Sequence, residues 1–319
     1  KRIHERPINQ LVQALRLLGA DITYTGKEDF APLLIKGQSQ LKGGEVAIDS
    51  SISSQFISAL MLIAPHYKEG IKINIINSMV SESFITMTKT MMEEFGIHIE
   101  IENNSIIIPR TDYTSGTIFI ESDYASASYW YSLLVLMPND YSLSFTGLKQ
   151  DSIQPDRKVT QIYSKLGIET IYNHNVTILH KINNFVNPTS LEFDLTDAPD
   201  LAQTIACTCA ALDIDLELNG LQTLVYKETN RLVALKTELE KFGKKVEIIQ
   251  LNSLKISGIF KTGLRMSIPT YMDHRMAMSF APLCVKCESI IIEDSEVVCK
   301  SYPMFWEELS NFATITKLK

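Results

Sequence analysis

Four times along the chain a stretch with helical spacing ends in an apolar residue followed by glycine, and a β-type run comes next. The pairs are Leu18-Gly19, Phe95-Gly96, Leu166-Gly167 and Phe242-Gly243, at spacings of about 71–77 residues. Glycine in that place reads as the left-handed residue that closes a helix. The runs behind it are Asp21 to Tyr24, Ile97 to Glu100, Ile168 to Ile171 and Lys245 to Ile248. A second set of helices interleaves with the first, starting near Ser54, Ser126, Asp200 and His274. Their bodies are small and apolar: Phe56 to Ala64, Tyr129 to Met137, Ala202 to Leu212 and Met276 to Val285. Pro65, Pro138 and Pro282 stop three of them, since proline cannot continue a helix. Strand-like runs follow at Ile71 to Ile76, Tyr141 to Phe145, Asp215 to Leu218 and Ser289 to Glu293.

A unit of helix, strand, helix, glycine and one or two strands, repeated every 74 residues or so, restricts the fold to an α/β repeat with right-handed connections inside each unit. The small-residue helices are apolar on all sides and should be buried, whereas the glycine-terminated ones keep a polar face. Three-fold bundles of such units make domains. The turn-rich stretch Gly147 to Asp156 is the expected boundary, dividing residues 1–153 from 154–319.

Composition removes several functions. The net charge of −7 has the wrong sign for holding nucleic acid by general electrostatics, and no apolar run approaches the roughly 20 residues that span a bilayer. Lys1 to Pro7 lack an apolar segment behind them, so no secretory signal is read. The sequence opens without Met and turns helical by Ile8, which suggests entry in mid-fold. Five cysteines, an odd number without a signal, point to free thiols and a cytoplasmic location. Cys284 and Cys287 have no second pair or histidine at ligand spacing, so no metal is expected.

The polar residues gather in the first turns of the helices: Arg2 and Arg6, Ser53, Ser54 and Gln55, Ser81, Asp156, Asp200, Lys227, Glu228 and Arg231, then Asp273, His274 and Arg275. Parallel repeats point their helices one way, so these N-termini can converge where free N–H groups and the dipole favour anions. Capping explains Ser54 and Asp200. It does not explain Lys227, Arg231 and Arg275, because the dipole disfavours cations at a helix start. An anionic ligand explains them better.

Ser53-Ser54-Gln55-Phe56, Lys227-Glu228-Thr229-Asn230-Arg231, Asp273-His274-Arg275-Met276-Ala277 and Lys300-Ser301-Tyr302-Pro303 resemble motifs of the 5-enolpyruvylshikimate-3-phosphate (EPSP) synthase family, as do Arg2, Glu5-Arg6-Pro7-Ile8 and Pro199-Asp200. The match runs in order along the whole chain. The resemblance implies a fold of the enolpyruvyl transferase type: two α/β domains of repeated βαβαββ units (an inside-out α/β barrel), the N-terminal one incomplete, with ligands in the cleft between them and domain closure on substrate. It implies a transferase of the shikimate pathway, in aromatic amino acid and chorismate biosynthesis, moving the carboxyvinyl group of phosphoenolpyruvate to the 5-hydroxyl of shikimate 3-phosphate, with phosphate released and no cofactor. By resemblance Ser53, Ser54, Gln55, Ser81, Asp200 and Lys227 hold shikimate 3-phosphate, and Arg2, Gln55, Arg231, His274, Arg275 and Lys300 hold phosphoenolpyruvate. Asp200 is then the base for the attacking hydroxyl, Glu228 the acid for the methylene carbon, and Lys227 the third catalytic residue. A monomer is expected, with small molecules as its partners and neither nucleic acid nor membrane.

The sequence departs from the family at several points. A Lys-Ser-x-x-x-Arg segment and an Asn-Ala-Gly-Thr loop are absent, and six units would make roughly 440 residues. A truncated chain of doubtful catalytic competence is therefore expected. Phe84 stands where a tyrosine is frequent and Thr223 where asparagine is usual. The alternatives are the related UDP-N-acetylglucosamine enolpyruvyl transferase, disfavoured because no cysteine precedes Cys207, and a non-catalytic fragment that binds shikimate 3-phosphate.

Overall fold

The structure is a computed structural model and describes residues 2–49, 54–77, 82–138 and 141–317. It divides into two compact units, residues 1–119 and 120–319, each with its own hydrophobic core.

The first unit opens with α1 (Asn9–Leu17) and an antiparallel pair, β1 (Asp21–Tyr24) and β2 (Leu33–Lys36). One whole repeat follows: β3 (Gly44–Asp49), α2 (Ser54–Ile63), β4 (Ile71–Ile76), α3 (Glu82–Glu94), β5 (Glu100–Glu102) and β6 (Ser105–Ile108). Its sheet runs β3-β4-β6-β5, with β3 parallel to β4 and the other pairs antiparallel. A parallel pair needs a crossover, and α2 supplies it. Alternating Ile71, Ile73 and Ile75 of β4 face the core.

The second unit has three repeats. The first contains α4 (Tyr124–Leu136), β7 (Ser142–Thr146), α5 (Lys158–Ser164), β8 (Ile168–Asn173) and β9 (Val176–Lys181). The second contains β10 (Ser190–Asp194), α6 (Ala202–Ala211), β11 (Asp215–Asn219), α7 (Arg231–Lys241), β12 (Lys245–Ile249) and β13 (Ser253–Ser257). The third contains β14 (Arg265–Ile268), α8 (His274–Phe280), β15 (Ser289–Ile292) and α9 (Phe305–Leu309). The sheet β10-β11-β13-β12 repeats the strand order and directions of β3-β4-β6-β5, so the unit is βαβαββ.

Glycines 19, 96, 167 and 243 adopt φ values of 102°, 82°, 81° and 86°, the left-handed closure expected of them. Of the β-type runs behind them, only 97–99 stay outside a strand. Three of the small-residue helices are buried as expected: every residue of α6, all of α4 except Ser126 and all of α8 except Arg275; α2 departs from the expectation, with only Ile57, Leu60 and Met61 buried and Leu62 and Ile63 exposed. Helix α4 starts two residues before Ser126, because Asp123 is its cap and accepts from the N–H groups of Ala125 and Ser126.

The compact units meet at 119/120, whereas the turn-rich stretch around Gly147 had suggested 153/154. That stretch looks like a linker but is a fastened loop. Its Lys149 carbonyl accepts from the Tyr124 hydroxyl, and Gln154 both accepts from the Tyr124 N–H and donates to the Ser122 carbonyl. Residues 120–153 thus pack with the second unit.

Candidate active site

Helices α4, α6 and α8 lie side by side in the second core. Hydroxyls tie them: Ser128 Oγ lies 3.2 Å from Thr204 Oγ1, which lies 3.2 Å from Ser279 Oγ, and Thr208 Oγ1 donates to Ser132 Oγ at 2.7 Å. Two rungs between α4 and α6 in the same sequence order make those helices parallel. Their N-termini therefore converge, and equivalent places in the three repeats bring an aspartate each: Asp123, Asp200 and Asp273.

Arg231, the first residue of α7, enters this convergence with its side chain only 2% exposed. Nε donates to Asp273 Oδ2 at 2.7 Å, Nη1 to Asp200 Oδ1 at 2.6 Å and Nη2 to Glu228 Oε2 at 2.8 Å. A planar fork of five donors suits three carboxylates in this way, as an ammonium would not. Asp273 also caps α8 by accepting from the Arg275 N–H. Arg275 donates through Nη2 to Asp200 Oδ2 at 3.1 Å and through Nη1 to the Tyr129 hydroxyl at 3.3 Å. Lys227 Nζ lies 3.6 Å from Asp200 Oδ1, and Lys300 donates to Glu228 Oε1. Side-chain exposure rises from 2% at Arg231 to 28% at Lys227 and 56% at Lys300, so the two lysines sit at the mouth.

The electrostatics follow. Burial alone would lift the Asp200 carboxyl, but Arg275, Arg231 and Lys227 hold it well below the usual carboxylate range. Burial likewise pushes Glu228 up, while Arg231 and the Lys300 hydrogen bond more than reverse this and leave it at about 2. Burial and the neighbouring Arg275 lower His274 to about 4, so its imidazole is neutral at pH 7. Its Nδ1, 3.7 Å from Asp273 Oδ1, has no hydrogen-bond partner among the described residues.

Asp200, Lys227, Glu228, Arg231, His274, Arg275 and Lys300 are thus brought together in one unit. Ser54 and Gln55 open α2 of the other. Ser53 and Ser81 lie outside the described residues, as does the side chain of Arg2, whose backbone begins the turn Arg2–Glu5. Cations at helix starts had pointed to a ligand; in the structure Arg231 and Arg275 also have counterions within the chain. Two roles escaped the sequence reading: that of Asp273, noted there among the helix starts but given no part in the site, and that of Tyr129. Asp273 stands in the Asp-His-Arg motif, which could have flagged it as the clamp on Arg231. Tyr129 gave no such signal, because an aromatic in a buried helix looks like packing. A cavity of about 510 Å³, lined by Met137, Leu166, Lys181, Phe185 and Lys286 among others, lies at the opposite end of α4 and has no carboxylate in its wall among the described residues.

The profile of EPSP synthase (3-phosphoshikimate 1-carboxyvinyltransferase) matches residues 1–309. The chain belongs to the EPSP synthase family. A 3-phosphoshikimate 1-carboxyvinyltransferase of Bacteroides fragilis (strain YCH46) is 38% identical over 316 residues, covering 97% of this chain and 75% of the relative. That of Haemophilus influenzae (strain KW20) is 34% identical over 320 residues, covering 96% and 70%. Among solved structures, an EPSP synthase of Acinetobacter baumannii superposes with a TM-score of 0.74 at 21% identity over 98% of this chain and 72% of that one. The enolpyruvyl transferase NikO of Streptomyces tendae gives 0.69 at 14% identity, over 96% and 71%. These likenesses carry the enolpyruvyl transferase type of α/β fold expected from the sequence.

Proposed function

We propose that this EPSP synthase family transferase moves the carboxyvinyl group of phosphoenolpyruvate to the 5-hydroxyl of shikimate 3-phosphate and releases phosphate. The observation that supports this reading is the Arg231 clamp, which gathers one candidate base, Asp200, and one candidate acid, Glu228, beside four cations. Two substrates bearing phosphates and carboxylates compete for Lys227, Arg231, Arg275 and Lys300. As the cations are shared, Asp200 and Glu228 lose their counterions and their proton affinities rise. Asp200 then takes the hydroxyl proton as the 5-oxygen bonds to the central carbon of phosphoenolpyruvate, and Glu228, protonated once its counterions are engaged, gives its proton to the methylene carbon. Glu228 takes a proton back from the resulting methyl carbon as the carbon–oxygen bond to phosphate breaks, which restores the double bond and releases phosphate. In this reading Ser53, Ser54, Gln55, Ser81, Asp200 and Lys227 receive shikimate 3-phosphate. Arg2, Gln55, Arg231, His274, Arg275 and Lys300 receive phosphoenolpyruvate. The protein works as a cytoplasmic monomer, a setting in keeping with its five free cysteines.

Phosphate release from phosphoenolpyruvate, with and without shikimate 3-phosphate, tests the reading. Release that needs shikimate 3-phosphate and is lost in Asp200→Asn supports it. Binding of both substrates without release overturns the catalytic part, and release that needs UDP-N-acetylglucosamine instead overturns the acceptor.

A further inference from the structure

The turn that joins β14 to α8 is built from residues that do not favour it. The Asp273 N–H donates to the Thr270 carbonyl at 2.9 Å, and both residues between them, Tyr271 and Met272, have left-handed φ values of 54° and 57°. Asn and Gly are the usual occupants of such a turn, because in the left-handed region a Cβ crowds the following carbonyl. Gln250 and Leu251 make a turn of the same kind between β12 and β13, where the strand ladder closes it. At Thr270 that support is missing, since β14 pairs with β15 and the chain beyond the turn enters α8. Side chains of α7 stand in its place. The Tyr271 hydroxyl donates to Glu238 Oε1 at 2.6 Å, and the wholly buried Glu238 accepts from Lys241 Nζ through Oε2 at 2.6 Å. Glu238 lies two turns after Arg231 on the same face of α7, and Arg231 holds Asp273. Helix α7 thus grips the segment twice, at Tyr271 and at Asp273, and His274 and Arg275 come directly after the second grip.

We propose that Tyr271 is a positioning residue for phosphoenolpyruvate: its hydrogen bond to Glu238 keeps the strained turn closed, which seats Asp273 on Arg231 and aims His274 and Arg275 into the site. This rests on the reading that those two residues receive phosphoenolpyruvate. A strained conformation persists only where its surroundings over-determine it. A phenol on a buried carboxylate makes a charge-assisted bond, stronger than one between neutral groups. Without it the turn has a relaxed alternative, in which Asp273 no longer caps α8 and Arg275 loses its bearing toward Asp200 and Tyr129. Only the closed fraction then binds, and the apparent affinity falls by that fraction. Saturating ligand draws the turn closed again, so the rate at saturation is kept.

Tyr271→Phe keeps the ring and removes the hydroxyl. The readouts are the dissociation constant of phosphoenolpyruvate by calorimetry, and its KM and kcat in phosphate release at saturating shikimate 3-phosphate. The dissociation constant and KM are expected to rise about tenfold, the lower end for a lost hydrogen bond to a charged group, with kcat within about twofold of the wild type's. A merely structural role would lower the active fraction, hence kcat, and leave KM alone. Adding Met272→Gly to the variant removes the strain of one left-handed residue and should recover about fivefold of the loss. Met272→Gly by itself keeps the hydroxyl and is expected to bind phosphoenolpyruvate at least as tightly as the wild type; weaker binding there overturns the role of strain without any change at Tyr271. An unchanged dissociation constant in Tyr271→Phe, a fall in kcat without a rise in KM, or a loss that Met272→Gly does not recover overturns the positioning role but not the anion site. A wild type that binds no phosphoenolpyruvate overturns the reading of the site, and the positioning role with it.

Discussion

Replacing Arg231 by methionine keeps the length of the side chain and removes the charge that holds three carboxylates together. Breaking one buried pair by deleting a partner costs about 3–5 kcal/mol, because an uncompensated charge stays behind. The three losses do not add. Asp200 keeps Arg275 and Lys227, and Glu228 keeps Lys300, so only the fully buried Asp273 loses its main cation. About 3–5 kcal/mol is therefore the expected total at pH 7.5. The sign with pH follows from the depressed carboxyls. Glu228 lies at about 2 in the folded chain against 4.5 ordinarily, a stabilisation on the order of 3 kcal/mol that is complete above the ordinary value and lost as pH falls through the folded one. Arg231→Met raises the folded values, so its deficit should be largest at pH 7.5 and smaller at pH 4. Urea unfolding followed by tryptophan fluorescence measures this in the right unit, since Trp130 and Trp306 both lie in residues 120–319. Arg231→Lys should fall between the two, as an ammonium cannot serve three carboxylates in one plane. A deficit under about 1 kcal/mol at pH 7.5, or one that does not shrink in acid, would refute the clamp as the organising element of the site.

Further outcomes are expected elsewhere. Glu228→Gln should lower acceptor-dependent phosphate release by about 10²–10⁴-fold, the usual contribution of a positioned acid, while calorimetry finds phosphoenolpyruvate binding retained; an unchanged kcat removes Glu228 as the acid. Phe84→Tyr in α3 should tighten shikimate 3-phosphate by about 0.5–1.5 kcal/mol through one added hydroxyl bond, and an unchanged dissociation constant counts against that contact. Gly167→Ala should cost about 1–2 kcal/mol from left-handed strain alone. The clash adds to this, since the new Cβ would lie 2.5 Å from Phe185 Cγ; a melting temperature equal to the wild type's would contradict the closure role of that glycine.

Local chemistry wrote much of the fold into the sequence. Left-handed closure after a helix is open to glycine at little cost, so Gly19, Gly96, Gly167 and Gly243 mark four helix ends without reference to anything distant. The all-apolar bodies of α4 and α6 state their own burial, and β4 and β11 lie where their apolar runs indicate. The candidate residues were equally legible, because their motifs are contiguous. Their partners were not. The loop at Gly147 has the composition of a linker, and only hydrogen bonds to Tyr124 and Ser122 make it part of a domain. Arg231 meets Asp200 and Asp273 from 31 and 42 residues away, and Tyr129 reaches Arg275 across 146. Such distances close only when three parallel helices pack and direct their N-termini to one place. What each residue is, and the local turn it prefers, follows from the sequence alone. Which charges share a buried space, and hence which carboxyls hold protons, is set by tertiary packing, because desolvation and Coulomb interactions depend on separation in space.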